Sequence, residues 1–218
     1  MHIEILVEDQ SGMRALENLV PKMLPPHCTF KINSYKGIGH LPKGLKAHLD
    51  PQKRVLLNRL PALLQGYGNS FSRYPDDYQA AVILICDLDN RDKDQFLAEL
   101  REVLDACNPK PNAKFCLSVE EGEAWLLGHK DAVRTAYPAS KEAVLVNYVY
   151  DSICGTWECL ADVVHPGGHT ALKGKGHEAG KMKSEWATQI SNFIDIDENM
   201  SPSFQYFVKT LSDLCNPD

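Results

Sequence analysis

Two periods of apolar spacing succeed each other along the first 130 residues. Ile3 to Val7 is a short β-branched apolar run and predicts a strand. Met13, Leu16, Leu19, Val20 and Met23 follow at helical spacing and predict a helix over 11–23, ended by Pro25-Pro26. Phe30 and Ile32 share one phase of an alternating stretch and predict a second strand over 30–35. Val55, Leu56, Leu60 and Leu63 predict a helix over 51–64, with Pro61 expected to kink or break it. Ala80 to Cys86 is the most apolar run of the chain. Its shortness and its flanking turn residues predict a central strand buried on both faces. A helix is expected over 95–107, a strand over 114–119, and a further helix after Glu120.

Strands alternating with helices predict an α/β fold: a parallel sheet with helices on its faces over 1–130. Residues 131–218 lack clear strands and predict a mostly helical C-terminal extension packed on that core. Within it, 184–193 and 203–214 read as helices, and Val163 to Lys183 reads as a loop region rich in glycine, histidine and lysine.

Composition narrows the class. The chain has 218 residues, 44% of them apolar and 24% charged, which suits a folded soluble domain. No run reaches the roughly 18 apolar residues of a membrane helix. The first residues, Met1-His2-Ile3-Glu4, lack the basic start of a signal peptide, so a cytoplasmic location without membrane contact is expected. Seven cysteines, an odd number without a CxxC pair, predict reduced thiols. His165, His169 and His177 lack paired thiol partners at zinc-site spacing.

The net charge of −6 argues against bulk nucleic-acid binding, but the charge is unevenly placed. Phe30 to Arg59 holds seven cations and one anion, whereas Asp76 to Asp105 holds nine acids and three bases. Such asymmetry suits a protein that meets phosphate on one surface and a cation on another. A solvated charged face reads the same way.

Functional groups of an open parallel sheet gather beyond the C-terminal ends of its strands. Three acidic features fall there. Glu8 follows the first strand, Asp87 and Asp89 follow the central one, and Glu120, Glu121 and Glu123 follow the fourth. Were the chain still extended, Asp87 and Asp89 would leave on the same side of the pleat. Converging carboxylates repel unless a cation lies among them, and oxygen ligands suit Mg²⁺ or Mn²⁺. Such an ion takes up phosphate oxygens and activates water. Helix capping by Asp89 or Asp92, and macrodipole pairing by Glu121 and Glu123, are the structural alternatives. Lys36, Lys43 and Lys46 in a glycine-rich loop, and Lys173, Lys175, Lys181 and Lys183 in a second basic stretch, are candidate phosphate contacts. The first loop lacks the Walker spacing, so nucleotide hydrolysis is not expected. Trp125, Trp157 and Trp186 sit in helical apolar contexts and are expected in the core.

The strand ending in Glu8 and the Asp87-Leu88-Asp89 motif resemble the Toprim domain, the metal-binding core of topoisomerases, primases and certain ATPase-associated nucleases. A longer resemblance, to uncharacterised prokaryotic Toprim-like proteins often encoded beside ATPases and in defence loci, spans nearly the whole chain. It is carried by Tyr35-Lys36-Gly37-Ile38-Gly39, 60–68 (LPALLQGYG), 121–128 (EGEAWLLG), 151–158 (DSICGTWE), Pro166-Gly167-Gly168, Lys183-Ser184-Glu185-Trp186-Ala187 and Ser201-Pro202-Ser203-Phe204. The resemblance implies a Toprim-like (Rossmannoid) sheet. It implies Glu8 as general acid/base or metal ligand, Asp87 and Asp89 as the metal pair, and Glu123, with Glu121, as a later acid. It implies Mg²⁺- or Mn²⁺-dependent cleavage of DNA or RNA beside an ATPase partner, or else a non-catalytic Toprim-like module binding an ATPase or a nucleotide. Toprim domains usually carry glycine after the first glutamate; Asp9 stands there in this chain. No tyrosine is placed as a topoisomerase nucleophile.

Overall fold

The computed structural model describes residues 1–42, 55–119, 121–152 and 155–216. Four strands form one parallel sheet: β1 (His2–Val7), β2 (Thr29–Ser34), β3 (Ala80–Asp87) and β4 (Ala113–Ser118), in the order β2-β1-β3-β4. Five helices carry most of the cover: α1 (Gln10–Met23), α2 (Leu56–Phe71), α3 (Lys93–Asp105), α8 (Gly176–Phe193) and α9 (Pro202–Cys215). Between β4 and α8 lie α4 (Glu123–Leu127), α5 (Lys130–Ala136), α6 (Glu142–Asn147), α7 (Thr156–Val164) and a 3₁₀ turn at His169–Ala171.

The two faces of the sheet build separate cores. Ile3, Ile5 and Val7 of β1 and Ala81, Ile83 and Ile85 of β3 pack with α1 and with Leu126, Trp186, Phe204 and Phe207. Leu6, Val82, Leu84 and Cys86 point the other way, onto Leu60 and Leu64 of α2 and Phe96 and Leu100 of α3. A strand buried on both faces has no polar phase to show, which is why 80–86 reads as a continuous apolar run. The first core joins β1 and α1 directly to α5, α8 and α9, so residues beyond 131 share it with the sheet. Trp125 and Trp186 are buried, and Trp157 is partly buried against the same cluster.

Three expectations need correction. Pro61 does not break its helix. It stands six residues in, where one amide is forfeited, and the buried Leu56, Leu57, Leu60 and Leu64 carry α2 on to Phe71. Gly68 lies in the later turns because the chain passes so close that a Cβ there would sit 1.9 Å from the Pro109 carbonyl oxygen. Second, the basic stretch 173–183 is not all loop: α8 begins at Gly176, drawn into helix by the apolar spacing of Ala179, Met182, Trp186 and Ile190. Third, the chain is not extended after β3, since Asp89 takes a left-handed conformation with φ of 49°. Cys28, Cys86, Cys107, Cys116, Cys159 and Cys215 are free thiols, and Cys154 lies outside the described residues. Among the described residues no helix is long and apolar enough to cross a membrane.

Candidate functional site

From β1 the chain moves outward to β2, then returns to the other side of β1 for β3. The strand order therefore reverses between β1 and β3, and open sheets bind ligands beyond the strand ends at that point. Glu8 directly follows β1 and Asp87 ends β3. With Val7 opposite Ile85 in the ladder, these two acids leave neighbouring strands at the reversal. The Asp87 backbone amide donates to Glu8 Oε2 at 3.4 Å, and the Ser118 hydroxyl donates to Asp87 Oδ1 at 2.8 Å.

The described part of the glycine-rich loop packs against Glu8. The Gly37 amide donates to the Glu8 carbonyl at 3.2 Å, and the Ile38 backbone also hydrogen-bonds the Glu8 carboxylate. Gly37 and Gly39 have φ of 91° and 70°. A Cβ at Gly39 would collide with Val55 and Asn58, so the loop can lie against α2 only as glycine. Lys36 is exposed on this rim; Lys43 and Lys46 lie outside the described residues.

Asp9 has extended backbone, φ −142°, and needs no glycine. Its carboxylate is the N-cap of α1, accepting from the Gly12 amide at 2.8 Å and from the Ser11 hydroxyl. Asp92 caps α3 through the Gln95 amide. Asp89 turns aside to an ion pair with Arg91 at 3.3 Å, its side chain about half exposed. Glu121 accepts from the Trp157 amide at 2.9 Å and caps α7 from outside that helix. Glu120 lies outside the described residues.

Glu123 is buried at the start of α4, where Lys183 of α8 reaches it at 3.2 Å and Glu121 at 3.8 Å. The basic stretch suggested Lys183 as a phosphate contact; the structure places its ammonium between two carboxylates. Lys173 and Lys175 are exposed, Lys175 pairing with Glu178 at 3.4 Å. At this rim lies a cavity of about 40 Å³, room for ordered water, with Glu8, Asp87, Ser118, Glu123 and Lys183 on a wall otherwise mostly apolar (Leu16, Ile85, Trp125 and Leu126 among others).

Electrostatics divide the acids. Burial pushes the Glu8 carboxyl up to about 7; the Asp87 and Ile38 amides resist, and the charges of Asp9 and Asp89 add to the rise. Asp87 is driven well above the usual range, by burial first and then by Glu8 and Glu123. Glu123 is also raised by burial to about 7, with Lys183 opposing. Burial opposes the Lys183 ammonium, but Glu123, Glu121, Asp87 and Asp9 outweigh it and hold its pKa above the ordinary lysine range.

Among the described residues no group of three or more His, Cys, Asp or Glu side chains is arranged to hold a metal ion. The donor chemistry nonetheless fits a hard cation in a narrower sense. Mg²⁺ is commonly held by one or two carboxylates with water completing the shell. Glu8 and Asp87 are two such carboxylates, beside space for water.

Comparison with protein-family models, curated proteins and solved structures finds no match to this chain. The Toprim resemblance therefore rests on the motifs themselves. The sequence pattern put Glu8 and Asp87 at strand ends and gave no warning of three of their companions: Ser118, the Ile38 amide and the counter-ion role of Lys183. Lys183 left a signal: it falls inside the apolar stripe of Ala179, Met182, Trp186 and Ile190, where a lysine needs a buried anion.

Proposed function

We propose that this chain is a Toprim-like phosphodiester hydrolase that cleaves nucleic acid with Mg²⁺ or Mn²⁺, working beside an ATPase. One observation carries the reading: Glu8 and Asp87 meet at the reversal of strand order with raised proton affinity and, among the described residues, no lysine, arginine or histidine nitrogen within 4 Å of either carboxylate. In this reading Glu8 and Asp87 hold the cation. When bound, the cation supplies charge for the phosphoryl oxygens and a more acidic water.

The other groups act from their own positions. Ser118 fixes the Asp87 carboxylate, and the Asp87 and Ile38 amides orient Glu8. Without a cation Glu8 has a pKa of about 7 and takes or gives a proton near neutrality; a bound cation would hold its carboxylate ionised. Lys183 keeps Glu123 anchored in the cavity wall. Asp89, paired with Arg91, contributes field at Glu8. The ATPase partner and a defence role come from the family resemblance alone.

The test is incubation of the purified chain with plasmid DNA and with RNA, each with Mn²⁺ or Mg²⁺. Cleavage is expected, and both Glu8→Ala and Asp87→Ala should reduce it by at least about 100-fold, as losing groups in or around a metal shell does. Cleavage that survives the double substitution sinks the assignment.

A second reading has its own support. The lack of a three-ligand group among the described residues, and the ammonium already lodged beside Glu123, favour a non-catalytic module that binds an ATPase or a nucleotide. Thermal denaturation during a Mn²⁺ titration separates the two: the hydrolase gains stability with the metal, and the module does not.

A further inference from the structure

The sheet ends at β4, whose outer edge forms the floor of a groove of about 590 Å³. One wall is α3, which presents Lys93, Leu97 and Arg101 at successive four-residue steps; none of the acids of α3 lines the groove. Lys93 and Arg101 are exposed and make no ion pair among the described residues. The facing wall carries Tyr206, 55% exposed, and the partly buried Tyr150, which has the Lys130 ammonium 5.0 Å over its ring. The single carboxylate in the lining, Asp151, is tied to the start of α9, accepting from the Ser201 hydroxyl at 2.8 Å and the Ser203 amide at 2.7 Å.

Cations in line on one side and aromatic faces on the other are what a single strand of nucleic acid requires. Its phosphates take the charge, and its unstacked bases take the rings. The groove reaches the C-terminal end of β4 at Leu117 and Val119, the chain neighbours of Ser118, whose side chain turns to the other face of the sheet and holds Asp87. We propose that this groove binds a single strand of nucleic acid through Lys93, Arg101 and Tyr206 and leads it past the end of β4 toward Glu8 and Asp87. Delivery to the rim, though not binding in the groove, rests on the hydrolase reading above.

The experiment is fluorescence anisotropy in EDTA, where metal-dependent cleavage cannot intrude. The probes are fluorescein-labelled oligo(dT) and oligo(U) of about 16 nucleotides, with a blunt duplex of the same length as competitor. Both strands should bind and the duplex should compete poorly; preference between the strands tells DNA from RNA. Lys93→Glu combined with Arg101→Glu should weaken binding at least tenfold and flatten the salt dependence by about 1.4 in log–log slope, roughly 0.7 for each phosphate that is no longer neutralised. Tyr206→Ala should weaken it by about fivefold or more. Melting curves check that these exposed substitutions leave the fold intact. Failure of both strands to bind, equal binding by the charge-reversed protein, or equal competition by duplex overturns the proposal. The first two outcomes turn the open edge of β4 toward an extended peptide instead.

Asp87→Ala keeps the two ideas apart. It should still bind the strands in EDTA. If it also still cleaves, the rim reading fails while the groove stands. If cleavage requires Asp87 but the groove variants bind normally, the groove fails alone.

Discussion

Glu8 with Asp87, and Glu121 with Glu123, are two acidic pairs on one rim with opposite fates. The second has its cation built in, Lys183 lying 3.2 Å and 3.8 Å from its carboxylates, and Glu121 is further occupied in capping α7. The first has amides and the Ser118 hydroxyl against its carboxylates and, among the described residues, no cation within 4 Å of them; Lys183 acts on Asp87 only from farther off. Acidic residues at a strand end are thus not equivalent. On the hydrolase reading, what separates a structural acid from one that would take an external cation is whether the fold already supplies the counter-charge.

The sharpest way to break this contrast is to remove the built-in cation. Lys183→Met should destabilise the protein by about 3 kcal/mol at pH 8, the cost of leaving a buried carboxylate unpaired. The loss should be smaller at pH 6, where Glu123 can take up a proton instead. Adding Glu123→Gln should recover most of it. A denaturant double-mutant cycle measures the coupling, and additive effects would show that the pair is incidental.

A weaker but broader effect is expected from pH. The folded-state pKa values of Glu8 and Glu123, about 7, lie above those of an unfolded glutamate, so these groups stabilise the fold in their protonated form. That contribution is complete below about pH 4.5 and is lost as pH rises through 7. In EDTA the melting temperature should fall by about 5 °C or more between pH 5 and pH 8, and Mn²⁺ should restore it only at the higher pH. A flat profile would place the first pair in better company than these contacts provide.

The smallest effect concerns Asp9. Asp9→Ala removes the α1 cap and should cost about 1 kcal/mol. It should also lower the proton affinity of Glu8, whose rise owes part to the Asp9 charge. Carboxyl titration followed by NMR reads the second effect independently of the first.

The strands and the principal helices were legible because burial on two faces, or on one stripe, leaves a period in the sequence. The meeting of Glu8 and Asp87 was legible for a related reason: parallel strands bring their C-terminal ends to one edge. Other features depend on contacts that no local pattern encodes. Asp89 swings out because one residue takes φ of 49°. Glu121 is claimed by an amide 36 residues away. The start of α8 was hidden by Gly176 and Gly180, weak helix formers held in place by docking against α1. Pro61 misled in the other direction, since one missing amide bond is small beside four buried leucines.

Lys183 rides on α8, far along the chain from the sheet whose acids it serves. The helical extension is thus an electrostatic partner of the core as well as a cover for it. A shortened chain stopping near residue 130 would keep every strand yet leave Glu123 bare. It should behave as a sticky, pH-sensitive fragment rather than as a minimal working unit.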